Sequence, residues 1–85
     1  MSTQFQTVVK KNVSLQHRHD AIDSLIERGD RTNLSVLVQC GGLSGEIRRH
    51  ALEGLGQCRA TEQLEELSTD PSIEPSLQRR AEELS

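Results

Sequence analysis

The stretch Glu46-Ile47-Arg48-Arg49-His50-Ala51-Leu52-Glu53-Gly54-Leu55-Gly56-Gln57-Cys58 decides how the rest of the chain is read. Ile47, Ala51, Gly54, Leu55 and Cys58 follow one another at steps of four, three, one and three residues. That spacing gathers them on a single stripe of a helix with period 3.6. Ser44, placed after Gly41 and Gly42, supplies an N-cap, and Gly56 offers a stop because glycine tolerates the left-handed geometry of a C-terminal cap. A helix is therefore expected over about residues 44–57. Gly54 inside it costs about 1 kcal/mol relative to alanine, and a close helix contact is the expected compensation.

Outward from this helix, Ala51 lies thirty residues from both Ala21 and Ala81, and the same interval relates Val13 to Leu43 and Ile73, Leu25 to Leu55, Leu34 to Leu64, and Leu37 to Leu67. A fixed period of this size marks a stacked repeat array. Its unit cannot bury its own apolar face and must cover its neighbour. Sliding back gives a first copy over about 14–28, ended by Gly29, and sliding forward gives a third that begins around Pro75. Leu34-Ser35-Val36-Leu37-Val38 and Leu64-Glu65-Glu66-Leu67 read as partner helices, with Asp30 and Thr61 as caps. Asp70-Pro71 makes a strong turn or helix start, because Asp accepts from free N–H groups and Pro pre-sets a helical dihedral. The expected fold is all-α: one domain over 1–85, a short α-solenoid of three hairpins and six helices. The repeats fall at about 1–29, 30–59 and 60–85, with the first helix over about 3–11, the last ending at Leu84, and extra residues in the third repeat at 70–75.

Composition agrees with one small domain. Hydrophobic residues make up 33% of the 85, Phe5 is the only aromatic, and Trp and Tyr are absent, so the core must come from Leu, Ile, Val and Ala. The formal net charge of −3 gives no global basic field for nucleic acid or anionic membrane. Apolar runs such as Val36-Leu37-Val38 are too short to span a bilayer, and residues 1–12 carry no apolar signal core. With two cysteines and no dense disulfide framework, the expected location is cytoplasmic.

The segment 46–56 resembles the second-helix signature of HEAT repeats of the PBS-lyase-like type, in which an aliphatic-Arg pair precedes Ala and a small-Leu-Gly end. Repeat one keeps Arg18, Ala21 and Leu25 but has His17 where repeat two has Ile47. Repeat three keeps Leu77 and Ala81 and has Gln78 in place of the Arg. The resemblance implies that the second helices line a concave face. It also brings family activities that the residues do not support. Iron-binding His-Glu pairs of HEAT-like hydroxylases are missing, as are the aromatic and basic side chains that HEAT-like DNA glycosylases place at a lesion.

The most suggestive surface pattern is a ladder of two columns. His19, Arg49 and Arg79 share one repeat position, and Asp23, Glu53 and Glu83 share the position four residues later. Such pairs meet across one helical turn and contribute about 0.2–0.5 kcal/mol each. The columns read either as a solvated face whose neighbouring repeats exchange ion pairs or as a mixed-charge groove for a peptide or helix. His17, His19, His50, Cys40 and Cys58 show no chelating spacing, so no metal or other cofactor is expected. His50 reads as a satisfied, half-buried histidine, Cys58 as a small core side chain, and the two thiols as too far apart for a disulfide. No nucleophile with a positioned base is visible. The expected function is a protein-interaction module without catalysis that takes a protein or peptide partner. One alternative is an accessory or chaperone subunit of a cofactor enzyme, in the manner of bilin lyases. Another is a structural homo-oligomer joined through the terminal repeats near Phe5, Val8 and Val9 or near Leu84.

Overall fold

The computed structural model describes residues 3–10 and 12–85. The described residues form six helices: α1 (Thr3–Val9), α2 (Leu15–Glu27), α3 (Arg31–Gln39), α4 (Gly45–Gln57), α5 (Thr61–Ser68) and α6 (Pro75–Leu84). The expected end of the first helix at Lys11 lies outside the described residues. Each odd-numbered helix packs on the helix that follows it, and the second helices of the three hairpins stack in the order α2, α4, α6. The longest dimension, 31 Å, is about three helix diameters of ~10 Å. The chain is a short all-α solenoid.

The second helices begin at Leu15, Gly45 and Pro75, so the thirty-residue interval runs unbroken through the third repeat. Residues 70–75, expected to be an insertion, occupy the places of 40–45 and form the same connecting loop. Asp70 makes the turn there by accepting from the Ser72 N–H at 2.8 Å and the Ser72 hydroxyl at 2.7 Å. Ser14 and Ser44 cap α2 and α4 by accepting from the amides of His17 and Ile47. Pro75 opens α6 from its first position, where a missing N–H is harmless. Asp30 caps α3 as expected, with a bond from Asn33 N–H at 3.2 Å. Thr61 does not cap α5: it is already helical, and the cap position belongs to Ala60, whose full burial leaves no room for a polar side chain.

The expected stop at Gly56 is also corrected. Gly56 lies inside α4, and a Cβ there would sit 3.0 Å from Leu84 Cδ2, so its smallness serves the docking of α6. The left-handed position comes three residues later, at Arg59 with φ +54°, and matches Gly29 with φ +66° in the first repeat. Gly54 meets the expectation of a close contact. A Cβ there would lie 2.5 Å from Ile26 Cγ1 and 2.7 Å from its Cδ1, so the Ile26 side chain of α2 packs into space that the glycine leaves open on α4.

Around these contacts Ile22, Leu25, Leu34, Leu37, Ile47, Leu52, Leu55 and Leu64 form a continuous, almost fully buried core, with Ala21, Ala51 and Ala81 at the spacing that first revealed the repeat. Phe5 and Val8 belong to this core, which leaves Val9 as the exposed apolar residue at the end of α1.

One polar device recurs in every repeat. Arg18 donates from Nη2 to the Lys10 carbonyl, Arg48 from Nε to the Val38 carbonyl at 2.8 Å, and Gln78 from Nε2 to the Asp70 carbonyl at 2.6 Å. Residues at one repeat position thus reach back to a backbone carbonyl at or just past the end of the preceding helix: Val38 in the last turn of α3, Lys10 directly after α1 and Asp70 two residues after α5. Gln78 replaces the arginine without losing the function, since an amide supplies the same donor. Arg48 is buried, and its Nη1 lies 3.7 Å from Glu74 Oε1.

Candidate functional site

The outward stripes of α2, α4 and α6 carry all six residues of the charge ladder, but the pairs expected within each helix are not the ones formed. Asp23 accepts from His50 Nε2 at 2.8 Å, and Glu53 takes Arg80 in a two-point grip, 2.6 Å to Nε and 2.9 Å to Nη2. Each tie joins a carboxylate to a base twenty-seven residues later, on the next second helix. Glu83 pairs with Arg80 on its own helix at 3.3 Å. The acidic column is therefore engaged within the stack, as the solvated-face reading anticipated for neighbouring repeats. Arg49 and Arg79 are exposed and make no ion pair among the described residues; Arg49 contributes only a minor attraction to Glu53.

His50 and Arg80 were the residues that ladder reasoning missed. A signal for them existed: the repeat position 20, 50, 80 holds an acid in the first repeat and a base only in the two repeats that have a predecessor to hold. An arginine fork suits this work because it meets both carboxylate oxygens at once.

His19 joins the same interface. Its Nδ1 lies 2.6 Å from His50 Nδ1, with the ring centroids 4.7 Å apart, and its Nε2 is 3.3 Å from Glu46 Oε1. Because His50 Nε2 faces Asp23, it carries the proton and donates. His50 Nδ1 and the Nδ1 of His19 share one hydrogen bond, one nitrogen donating and the other accepting. Asp23, His50, His19 and Glu46 form a line across the seam of α2 and α4. The half-buried His50 expected from the sequence is found here, hydrogen-bonded on both nitrogens. His17 is exposed on another face of α2.

The carboxylates and rings follow one another in series instead of converging on a point, and no group of three ligand-type residues among the described ones is arranged to hold an ion. Both cysteines are free thiols; Cys58 packs against the core with its Sγ 3.5 Å from the Ile26 carbonyl. Among the described residues no serine or cysteine hydrogen-bonds either ring of the pair. None of the helices is long and apolar enough to cross a membrane.

The ties shift two carboxylates. The Arg80 hydrogen bonds, helped by the charges of Arg80 and Arg49, hold Glu53 below its usual value against the opposing effect of burial, and Glu53 in turn raises Arg80. Asp70 is lowered by the Ser72 hydroxyl, then by Gln39, whose Nε2 donates at 2.9 Å, and by the Ser72 amide. A depressed folded value means stability that is fully present above the unfolded value, near 4, and that fades as pH falls through the folded one. Thermal melts taken from about pH 6 downward should therefore show a loss that continues below about pH 4. Glu53→Gln and Asp70→Asn should each flatten that acid limb, and an unchanged limb in both variants would contradict these ties.

Comparison with protein-family models, characterised proteins and solved structures finds no match to this chain.

Proposed function

We infer that the chain is a HEAT-like interaction module, without catalysis of its own, that takes an acidic segment of a protein partner on the outward face of its second helices. The observation that carries this reading is the division of labour within the ladder. Asp23 and Glu53 are bound to the next repeat, while Arg49 and Arg79 stand exposed and unpaired at the same position of α4 and α6. A partner therefore meets two free cations at repeat spacing, beside exposed carboxylates whose charge is already shared with a base of the stack. The net charge of −3 keeps this patch local, so it favours a short acidic stretch over a long polyanion. The homo-oligomer reading loses support because Phe5 and Val8, two of the residues it invoked, are buried in the chain's own core.

Arg49→Glu/Arg79→Glu is expected to fold and to melt only slightly below the wild type, since neither side chain makes an internal ion pair among the described residues and Arg49 adds only a minor attraction to Glu53. Immobilised wild type and variant, exposed to extract of the source cell, should differ in one respect. Proteins held by the wild type, and released as salt rises past about 0.5 M, should be missing from the reversed variant. The same proteins retained by both would move the binding surface off this face.

A further inference from the structure

The repeat register allows one junction of the stack to be compared with the other, and the two are built differently. At the edge where α3 meets the loop before α6, Gln39 donates to Asp70, Ser72 closes the turn on Asp70, and buried Arg48 has Glu74 as counter-ion. Thirty residues earlier, the equivalents of Gln39, Asp70, Ser72 and Glu74 are Val9, Cys40, Gly42 and Ser44. Every polar partner of that latch is replaced, yet Arg18, the equivalent of Arg48, is retained. A cavity of about 560 Å³ opens there, lined by Val9, Arg18, Cys40, Gly42 and Leu43.

Arg18 is the only charged side chain among those lining residues. Its Nη2 is engaged by the Lys10 carbonyl, but its Nε is buried without a hydrogen-bond partner. A guanidinium N–H buried without an acceptor is costly, and the acceptor that best matches an arginine is a carboxylate. None of the surrounding chain supplies one: residues 1–19 contain Lys10, Lys11 and Arg18 and no acid, and no residue from 39 to 45 is acidic. The remaining wall is the aliphatic side chains of Val9 and Leu43, with Cys40 and Gly42 beside them. The volume lies within the range of small-molecule sites.

We propose that this cavity binds a small aliphatic carboxylate, with Arg18 taking the carboxylate in the role Glu74 plays toward Arg48, and Val9 and Leu43 covering the hydrocarbon. The site is separate from the Arg49 and Arg79 face and does not depend on it. Octanoate serves as the probe, with octanol as its uncharged counterpart. In methyl-resolved NMR titrations of the full chain, octanoate should shift the Val9 and Leu43 methyls and the Arg18 Nε–H, and octanol should bind about tenfold or more weakly. Arg18→Gln, which copies Gln78 and keeps a donor for the Lys10 carbonyl, should fold and lose the preference for octanoate. Val9→Gln/Cys40→Asp, which rebuilds the Gln39 and Asp70 latch, should close the cavity and abolish the shifts. Equal binding of octanoate and octanol, octanoate binding unchanged in Arg18→Gln, or shifts confined to other residues would each overturn the proposal.

Discussion

Gly54→Ala should destabilise the chain by about 2 kcal/mol, even though the same exchange in an exposed helix gains about 1 kcal/mol. The added methyl would sit 2.5 Å from Ile26 Cγ1, well inside contact distance, and α4 is held from the other side by the core. Relief must come from Ile26, whose half-buried side chain has to turn away from α4 and give up part of its packing across the first junction. Ile26→Ala removes the opposing carbons. On its own it is destabilising, but combined with Gly54→Ala it should cost clearly less than the sum of the two single changes. Chemical denaturation of the four proteins measures this directly, and strict additivity would mean that the two residues do not meet.

Arg48→Ala should cost about 3 kcal/mol. Three losses coincide: the Val38 carbonyl at the end of α3 is left without its donor, Glu74 loses its counter-ion, and the buried alkyl stem leaves a void. Arg48→Gln separates the donor from the charge, because Gln78 already donates from this position to a backbone carbonyl of the preceding loop in the third repeat. It should recover a substantial part of the lost stability. If Arg48→Gln were as damaging as Arg48→Ala, the arginine would matter for packing or charge and not for closing the preceding helix.

The elements of this fold were legible in the sequence because they depend on local chemistry and periodicity. Ser14, Ser44 and Pro75 mark helix starts by short-range bonds or a fixed dihedral, and the interval between Ala21, Ala51 and Ala81 shows which faces meet. One stop and one start are misread for a different reason. Gly56 and Thr61 have the right residue types for a cap, but Leu84 claims the space beside the first and the burial of position 60 moves the second helix's start, and neither fact is local. The candidate site shows the same limit. A ladder drawn along single helices pairs each base with the acid four residues on. Stacking brings the next helix close enough to offer a better-placed partner, which gives Asp23 to His50 and Glu53 to Arg80. The Arg18 cavity is invisible to periodicity because it is made by what the first junction lacks at positions that are polar thirty residues later.

The assignment of Arg49 and Arg79 as the exposed, unpaired cations rests on Glu53 belonging to the next repeat. A pair of double-mutant cycles tests that point with stability as the readout, one on Glu53→Gln with Arg80→Gln and one on Glu53→Gln with Arg49→Gln. The geometry predicts favourable coupling between Glu53 and Arg80, which make two hydrogen bonds, and little between Glu53 and Arg49, which make none. Coupling to Arg49 with none to Arg80 would return the acid to its own helix and leave the proposed recognition face without its basis.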